Sequence, residues 1–183
     1  MARAICVPVG REGVTRVHIL PRVEDADRQL EYHELAPGED LLAEVSAFLD
    51  DRRLVGTTVQ LAPVRLRGIS VVVNVQASPR SDLARVERDV ATALYGYLNP
   101  LTGGSARGRG EGWEFGRALN QGEVFGVVHA VEGVEFVKIL RVYETDLVTG
   151  KQDPKPAGTH IELEADEVIA SGAHVIKAEH REA

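Results

Sequence analysis

The amino-acid sequence predicts an α+β fold: mixed, mainly antiparallel sheets with about three helices packed on them. Three observations carry that expectation. In the segment from Gly68 to Ala77, the residues Ile69, Val71, Val73, Val75 and Ala77 alternate with Ser70, Val72, Asn74 and Gln76, the period-2 pattern of a strand with one strongly apolar face. Other segments repeat their apolar residues at helical spacing. The strand-like segments come in groups separated by short turns, which favours hairpins over a regular strand–helix alternation.

Residues 4 to 9 and 14 to 20 read as two short strands joined by Gly10-Arg11-Glu12-Gly13, a connection of hairpin length. Pro21 ends the second strand. The polar, acidic stretch through Glu34 reads as mostly loop. Pro37-Gly38-Glu39-Asp40 opens a helix whose Leu41, Leu42, Val45, Phe48 and Leu49 form one apolar stripe. Glu39 and Asp40 near its start and Arg52-Arg53 near its end complement the helix dipole. Strands follow over Thr57 to Val64 and Gly68 to Ala77.

Ser78-Pro79-Arg80-Ser81-Asp82 supplies cap candidates for a second helix, striped by Leu83, Val86, Val90, Leu94, Tyr97 and Leu98 and ended before Pro100. Residues 102 to 112 hold five glycines and no apolar residue larger than alanine, so they read as an exposed loop. A third helix is expected from Gly122 or Glu123 to Glu132, with Val124, Val128 and Val131 inward and Gly133 as its stop. The last strands are expected at Val134 to Tyr143, Thr159 to Ala165 and Ala173 to Glu179, with Asp166 through Gly172 as a connection. The chain divides into an N-terminal α/β subdomain, 1–66, and a C-terminal α+β subdomain, 67–183.

Composition narrows the function classes. Of 183 residues, 44% are apolar and 27% charged, the balance of a globular protein. The net charge of −7 gives no bulk attraction to nucleic acid. The single cysteine, Cys6, excludes an intrachain disulfide and, within Ala4-Ile5-Cys6-Val7, reads as a small buried hydrophobe. Without a signal-peptide pattern or an apolar run of roughly 20 residues, the product is expected in the cytoplasm unless a larger particle carries it out.

No catalytic constellation emerges. There is no Gly-x-Ser-x-Gly elbow, and the histidines at 18, 33, 129, 160, 174 and 180 stand singly, without metal-site spacing. The acidic pairs fall at helix ends or turns. The glycine loop carries Arg107 and Arg109 but no P-loop lysine, and it leads to Trp113, Phe115 and Arg117. Those residue types anchor protein interfaces, so the five are the candidate interface residues. The alternative for Trp113 and Phe115 is that they cap the core beneath the loop. No cofactor, metal, nucleic acid or small-molecule substrate is expected. A small-ligand-binding or enzymatic α+β domain is the alternative reading.

An ordered string of motifs adds a resemblance. Ile69-Ser-Val-Val-Val-Asn-Val, a helix, Tyr97-Leu98-Asn99-Pro100-Leu101-Thr102-Gly103-Gly104, and Gly112-Trp113-Glu114-Phe115-Gly116-Arg117 follow one another. Glu123-Val124-Phe125, Val131-Glu132-Gly133-Val134 and Phe136-Val137-Lys138-Ile139-Leu140 continue the series. Together they resemble the C-terminal portion of baseplate J-like proteins, wedge components of contractile phage tails and related contractile injection systems. The segments Ala43 to Arg53 and Gly56-Thr57-Thr58-Val59 resemble the family's preceding region. Members of the family are usually longer, with further N-terminal regions.

The resemblance implies a structural role without catalytic residues. The implied partners are other baseplate proteins (a second wedge subunit, the hub or spike, the sheath initiator) and copies of the chain itself in a six-fold ring. It also implies assembly in the cytoplasm followed by incorporation into the particle.

Overall fold

The structure is a computed structural model and describes residues 3–8, 10, 13–24, 28–105 and 110–181. Its architecture is α+β, with mixed sheets. β1 (Arg3–Pro8) and β2 (Val14–Leu20) pair antiparallel, from Arg3↔Leu20 to Pro8↔Thr15. Among its described residues, the segment expected to be loop holds one 3-10 turn, Tyr32–Glu34, and Leu30 and Leu35 on either side of it are buried. α1 (Glu39–Asp50) is the crossover to β3 (Thr58–Pro63), which lies parallel to β2. The first sheet therefore runs β1-β2-β3.

The apolar stripe of α1 only half-buries: no residue of the helix is buried, and Phe48 stays exposed. Cys6 corrects an expectation. It is exposed, because β1 is an edge strand whose side chains alternate between half-buried and exposed, and Cys6 falls in the exposed phase.

β4 (Arg65–Ala77) is the backbone of the second sheet. Its residues Ile69, Val71, Val73, Val75 and Ala77 are buried, as their alternation predicts. α2 (Leu83–Tyr97) starts at Asp82, whose carboxylate accepts hydrogen bonds from the N–H groups of Ala84 and Arg85. Its buried face is Val86, Val90, Leu94 and Tyr97. β5 (Leu119–Asn120) runs into α3 (Gln121–His129), where the Asn120 side chain accepts from the Gly122 N–H. β6 (Val134–Glu144) pairs antiparallel with β4. β7 (His160–Ile161) pairs with β5, so only two of the residues expected as strand from Thr159 to Ala165 are strand.

The expected connection from Asp166 to Gly172 is the main departure. Glu167–Ser171 is a strand, β8, with every residue buried, and it lies parallel to β4 along Arg65–Ile69. β9 (Val175–His180) then takes over the same side of β4 along Val72–Ala77. A strand buried on both faces shows no alternation, so Val168-Ile169-Ala170 carried no period-2 signal. Gly68 marks where β4 meets the chain leaving β6. A Cβ there would lie 2.1 Å from the Thr145 carbonyl oxygen, so only glycine fits.

The division expected between residues 66 and 67 falls within β4. The sheets part at Val64, whose N–H donates to the Ile19 carbonyl (3.3 Å). Leu20, Leu30, Leu35 and Val64 belong to the same hydrophobic core as Val71, Val90 and Trp113. Because β8 contributes to that core, Ile169→Ala is expected to cost about 2–5 kcal/mol. Val175→Ala, at an exposed position of β9, should change stability by no more than about 0.5 kcal/mol. Urea denaturation of the two variants checks this, and equal midpoints would contradict the placement of β8.

Candidate functional site

The expected interface lies where α2 ends. Asn99 organises the chain reversal: its side-chain oxygen accepts from the N–H groups of Leu101 (2.7 Å) and Thr102 (3.1 Å). Its carbonyl accepts from Gly103 (3.0 Å) and Trp113 (3.2 Å). The Gly104 N–H donates to the Tyr97 carbonyl and the Gly110 N–H to the Thr102 carbonyl. Gly112 has φ +90°, and a Cβ on it would lie 2.4 Å from the Pro100 oxygen. The described parts of the glycine segment, 102–105 and 110–112, are thus folded back on the end of α2, and Gly103 is buried. They are not the open loop that composition suggests. Arg107 and Arg109 lie outside the described residues.

Trp113 is the centre of this fold-back, and it is fully buried. Its ring meets Tyr97 edge-on, with centroids 5.4 Å apart, and its Nε1–H donates to the Arg117 carbonyl at 2.9 Å. Trp113 therefore cannot itself touch a partner, and the reading in which it caps the core is the correct one. Arg117 closes the unit. Its guanidinium stacks 4.6 Å from the Trp113 ring and donates to the Gly104 carbonyl (2.6 Å) and to Glu123 Oε2 (3.0 Å).

The same Glu123 oxygen accepts from the Tyr97 hydroxyl at 2.7 Å. Burial, and then that hydrogen bond, push the Tyr97 phenol well above its ordinary range, so it acts as a donor. Phe115 is half-buried and lies under Arg3, whose guanidinium is 4.7 Å from the ring centroid. Arg3 also donates to the carbonyls of Pro100 (2.7 Å) and Trp113 (2.5 Å). Of the five candidates, three are placed together, and all three serve first to hold the segment in shape.

Tyr97, Asn99, Glu123 and Arg3 complete this platform and were not among the candidates. Tyr97 reads in sequence as one more member of an apolar stripe. Nothing local in the sequence links Arg3 to residues near 113.

A serine–histidine pair elsewhere resembles nucleophile chemistry. Ser171 Oγ is 2.8 Å from His174 Nε2. However, His174 Nδ1 accepts the Val71 backbone N–H at 3.0 Å. The neutral ring must then carry its proton on Nε2 and donate to Ser171, whereas a general base would have to offer a lone pair there. The pair is structural. It fills the step at which β8 gives way to β9 along β4, with the Gly172 N–H donating to the Ile69 carbonyl beside it. Tyr95 stacks on the imidazole at 4.7 Å. Burial lowers the His174 pKa to about 4.

A groove of about 720 Å³ opens beside the start of β4. Four of its charged residues, Arg65, Arg67, Glu144 and Glu167, are engaged in ion pairs. Arg67 donates to Glu144 (2.8 Å) and to both oxygens of Glu167, and Arg65 donates to Glu167 and Asp166. Burial alone would raise Glu167, but the Glu164 N–H and Arg67 hold it below its ordinary range. These pairs fasten the start of β8 to β4. No group of three or more His, Cys, Asp or Glu side chains among the described residues is placed to hold a metal ion. No helix of the described residues is long and apolar enough to cross a membrane. Neither a protein-family profile nor a curated protein matches the chain.

Trp113→Ala is expected to cost about 3–5 kcal/mol. Arg117→Ala should cost about 1–3 kcal/mol, because it leaves Glu123 and the Gly104 carbonyl short of a donor. For a chain of this size each kcal/mol lowers the melting temperature by about 2–4 °C. Calorimetry decides; an unchanged melting temperature for both would contradict a structural platform.

The His174 shift has a defined sign. Above the ordinary value of 6.5, both folded and unfolded forms are neutral and the stabilisation is complete. As pH falls from 6.5 to about 4, the unfolded chain takes a proton that the folded chain refuses, and stability drops. Carboxylates held below their ordinary range, such as Glu34 (about 2, through the Arg28 hydrogen bond) and Glu167, come into play only below 4.5. Urea midpoints should therefore fall between pH 6.5 and 4.5, and His174→Asn, which keeps an acceptor for Val71, should flatten that slope. The same slope in the variant would show that His174 is not its source.

Proposed function

We propose that the chain is a structural wedge or assembly subunit of a baseplate, in a contractile tail or contractile injection system. It joins neighbouring subunits around the tube hub and supports attachment of the sheath. One observation carries the reading. The motifs behind the resemblance, Tyr97 to Gly104, Gly112 to Arg117 and Glu123, form a single hydrogen-bonded platform organised around buried Trp113. A segment fixed in this way at both ends suits the presentation of Arg107 and Arg109 to a neighbour.

In this reading the partners are a second wedge subunit, the hub or spike, the sheath initiator and further copies of the chain. The subunit is assembled in the cytoplasm and carried in the particle. It works by shape and surface, as a scaffold, and not by catalysis.

Affinity purification of the tagged chain from its native cells, followed by negative-stain electron microscopy, tests this. Sheathed tubes or six-fold plates with the tag at one end are expected. A small monodisperse protein from cells that make such particles would refute it. Arg107→Ala with Arg109→Ala should lower particle yield at unchanged melting temperature. Arg117 is left alone in that variant because it holds the platform together.

A further inference from the structure

Beyond β8, where β4 lies between β6 and β9, the second sheet is covered on one face only. Val71, Val73, Val75, Val137, Val142 and Ala178 point into the core with α2 and α3. The opposite face is laid out by the strand register in three rows: Arg141–Val72–Val175, Ile139–Asn74–Lys177 and Phe136–Gln76–Glu179. Phe136 is 55% exposed, Ile139 48% and Val175 57%. The Asn74 side-chain oxygen, in the middle row, is buried and has no donor among the described residues.

Basic groups border the apolar ones. Lys138 and Lys177 flank Glu179, at 2.7 and 3.7 Å. Arg141 lies opposite Val72, and Glu135 accepts from Gln76. Three basic and two acidic side chains leave this face at +1 on a chain whose net charge is −7.

Several edge positions of this sheet are occupied from within the chain. The Gln121 amide donates to the Leu140 carbonyl on β6, and the Ala157 N–H donates to the Val142 carbonyl. On β9, the Ala178 N–H donates to the Glu87 side chain of α2. At these positions strand addition is blocked, which favours the face for a partner.

The complementary surface is on the same chain. α1 carries Glu39, Asp40, Glu44 and Asp50 and no basic residue. Asp40, Glu44 and Phe48 stand four apart, on one ridge of the helix. Phe48, with Arg52 against its ring, is 56% exposed, and Leu54 and Val55 in the following turn are more exposed still. Arg53 pairs with Asp50 at the helix end, so among the described residues the uncompensated acidic side chains of α1 are those of the first two turns, Glu39, Asp40 and Glu44. Exposed apolar side chains next to such charge mark an interaction surface.

We propose that α1 of one copy docks on the open β6-β4-β9 face of the next. Phe48 lies against Phe136, Ile139 and Val175, while Asp40 and Glu44 face Arg141 and Lys177. Helix and sheet face are different surfaces, so the contact is head-to-tail, and repetition gives a ring or a filament. This deepens the assembly reading above and rests on it only for closure into a six-fold ring.

The test uses sedimentation velocity of the purified chain over a concentration series. The wild type should associate, and added salt should weaken the association. Phe48→Glu alone, and Phe136→Glu with Ile139→Glu, should each weaken it by at least about tenfold. Both variants alter exposed positions, and melting curves check that they remain folded. Mixed together they should form a one-to-one dimer and nothing larger. The first variant keeps its sheet face and the second keeps its helix. A wild type that stays monomeric, association that survives in either variant, or a mixture that fails to pair would each overturn the proposal. Particle microscopy of the same variants separates the two readings. Tagged wild-type chain in baseplates, with no solution contact, would refute this contact and leave the baseplate role standing.

Discussion

β6, β8 and β9 all pair with β4, and the rest of the structure depends on how that strand is paired. It is antiparallel to β6 on one side, and on the other side it is parallel first to β8 and then to β9. Two different strands can share one side of β4 only if the step between them is filled. Gly172 and His174 fill it, by a backbone donor and an imidazole acceptor. The imidazole stands where a strand carbonyl would otherwise be, and it can do so only while Nδ1 is unprotonated. Packing, hydrogen bonding and protonation state are joined at this one residue.

The ends of the sheet are fastened by charge. Glu167 at the start of β8 accepts from Arg65 and Arg67, and Arg67 also holds Glu144 at the end of β6. Asp166 next to it faces His18 Nε2 at 3.5 Å, while the other His18 nitrogen donates to the Pro63 carbonyl. His18 is thereby set against both β3 and the turn before β8, so the first sheet cannot shift without disturbing the second. Pairs with partly exposed arginines add little net stability, but removing the arginines leaves the buried Glu167 carboxylate uncompensated. The cluster fixes position more than it adds strength.

The regular elements were readable because their signals are local. The alternation of β4, the stripe and Asp82 cap of α2, and the glycine stop after α3 each depend on residues a few positions apart. β8 was not readable, since three apolar residues buried on both faces carry no period. Trp113 was ambiguous for a different reason. Whether an aromatic next to a glycine-rich segment faces solvent or core depends on Asn99, which turns the chain, and on Arg3, 110 residues away, which braces it. Cys6 was misplaced because an apolar run does not show that its strand is at an edge. α1 has a true amphipathic stripe, yet the small sheet beneath it covers that stripe only in part.

The incomplete covering of α1 and the open face of the second sheet have one physical meaning. A small domain that keeps Phe48, Phe136 and Ile139 in water gives up hydrophobic stabilisation it could have gained by burying them. The cost is tolerable where a neighbour later removes the same surface from water. Gln121 and Glu87, each bonded to an edge group of β6 or β9, restrict how that can happen. Strand addition is indifferent to side chains and slips in register, whereas docking on a face depends on shape and on the sign of the charges around it. In the proposed assembly, where neighbours must meet in one geometry, the second mode is favoured, and the side chains that occupy part of the edge backbone leave the face as the available surface.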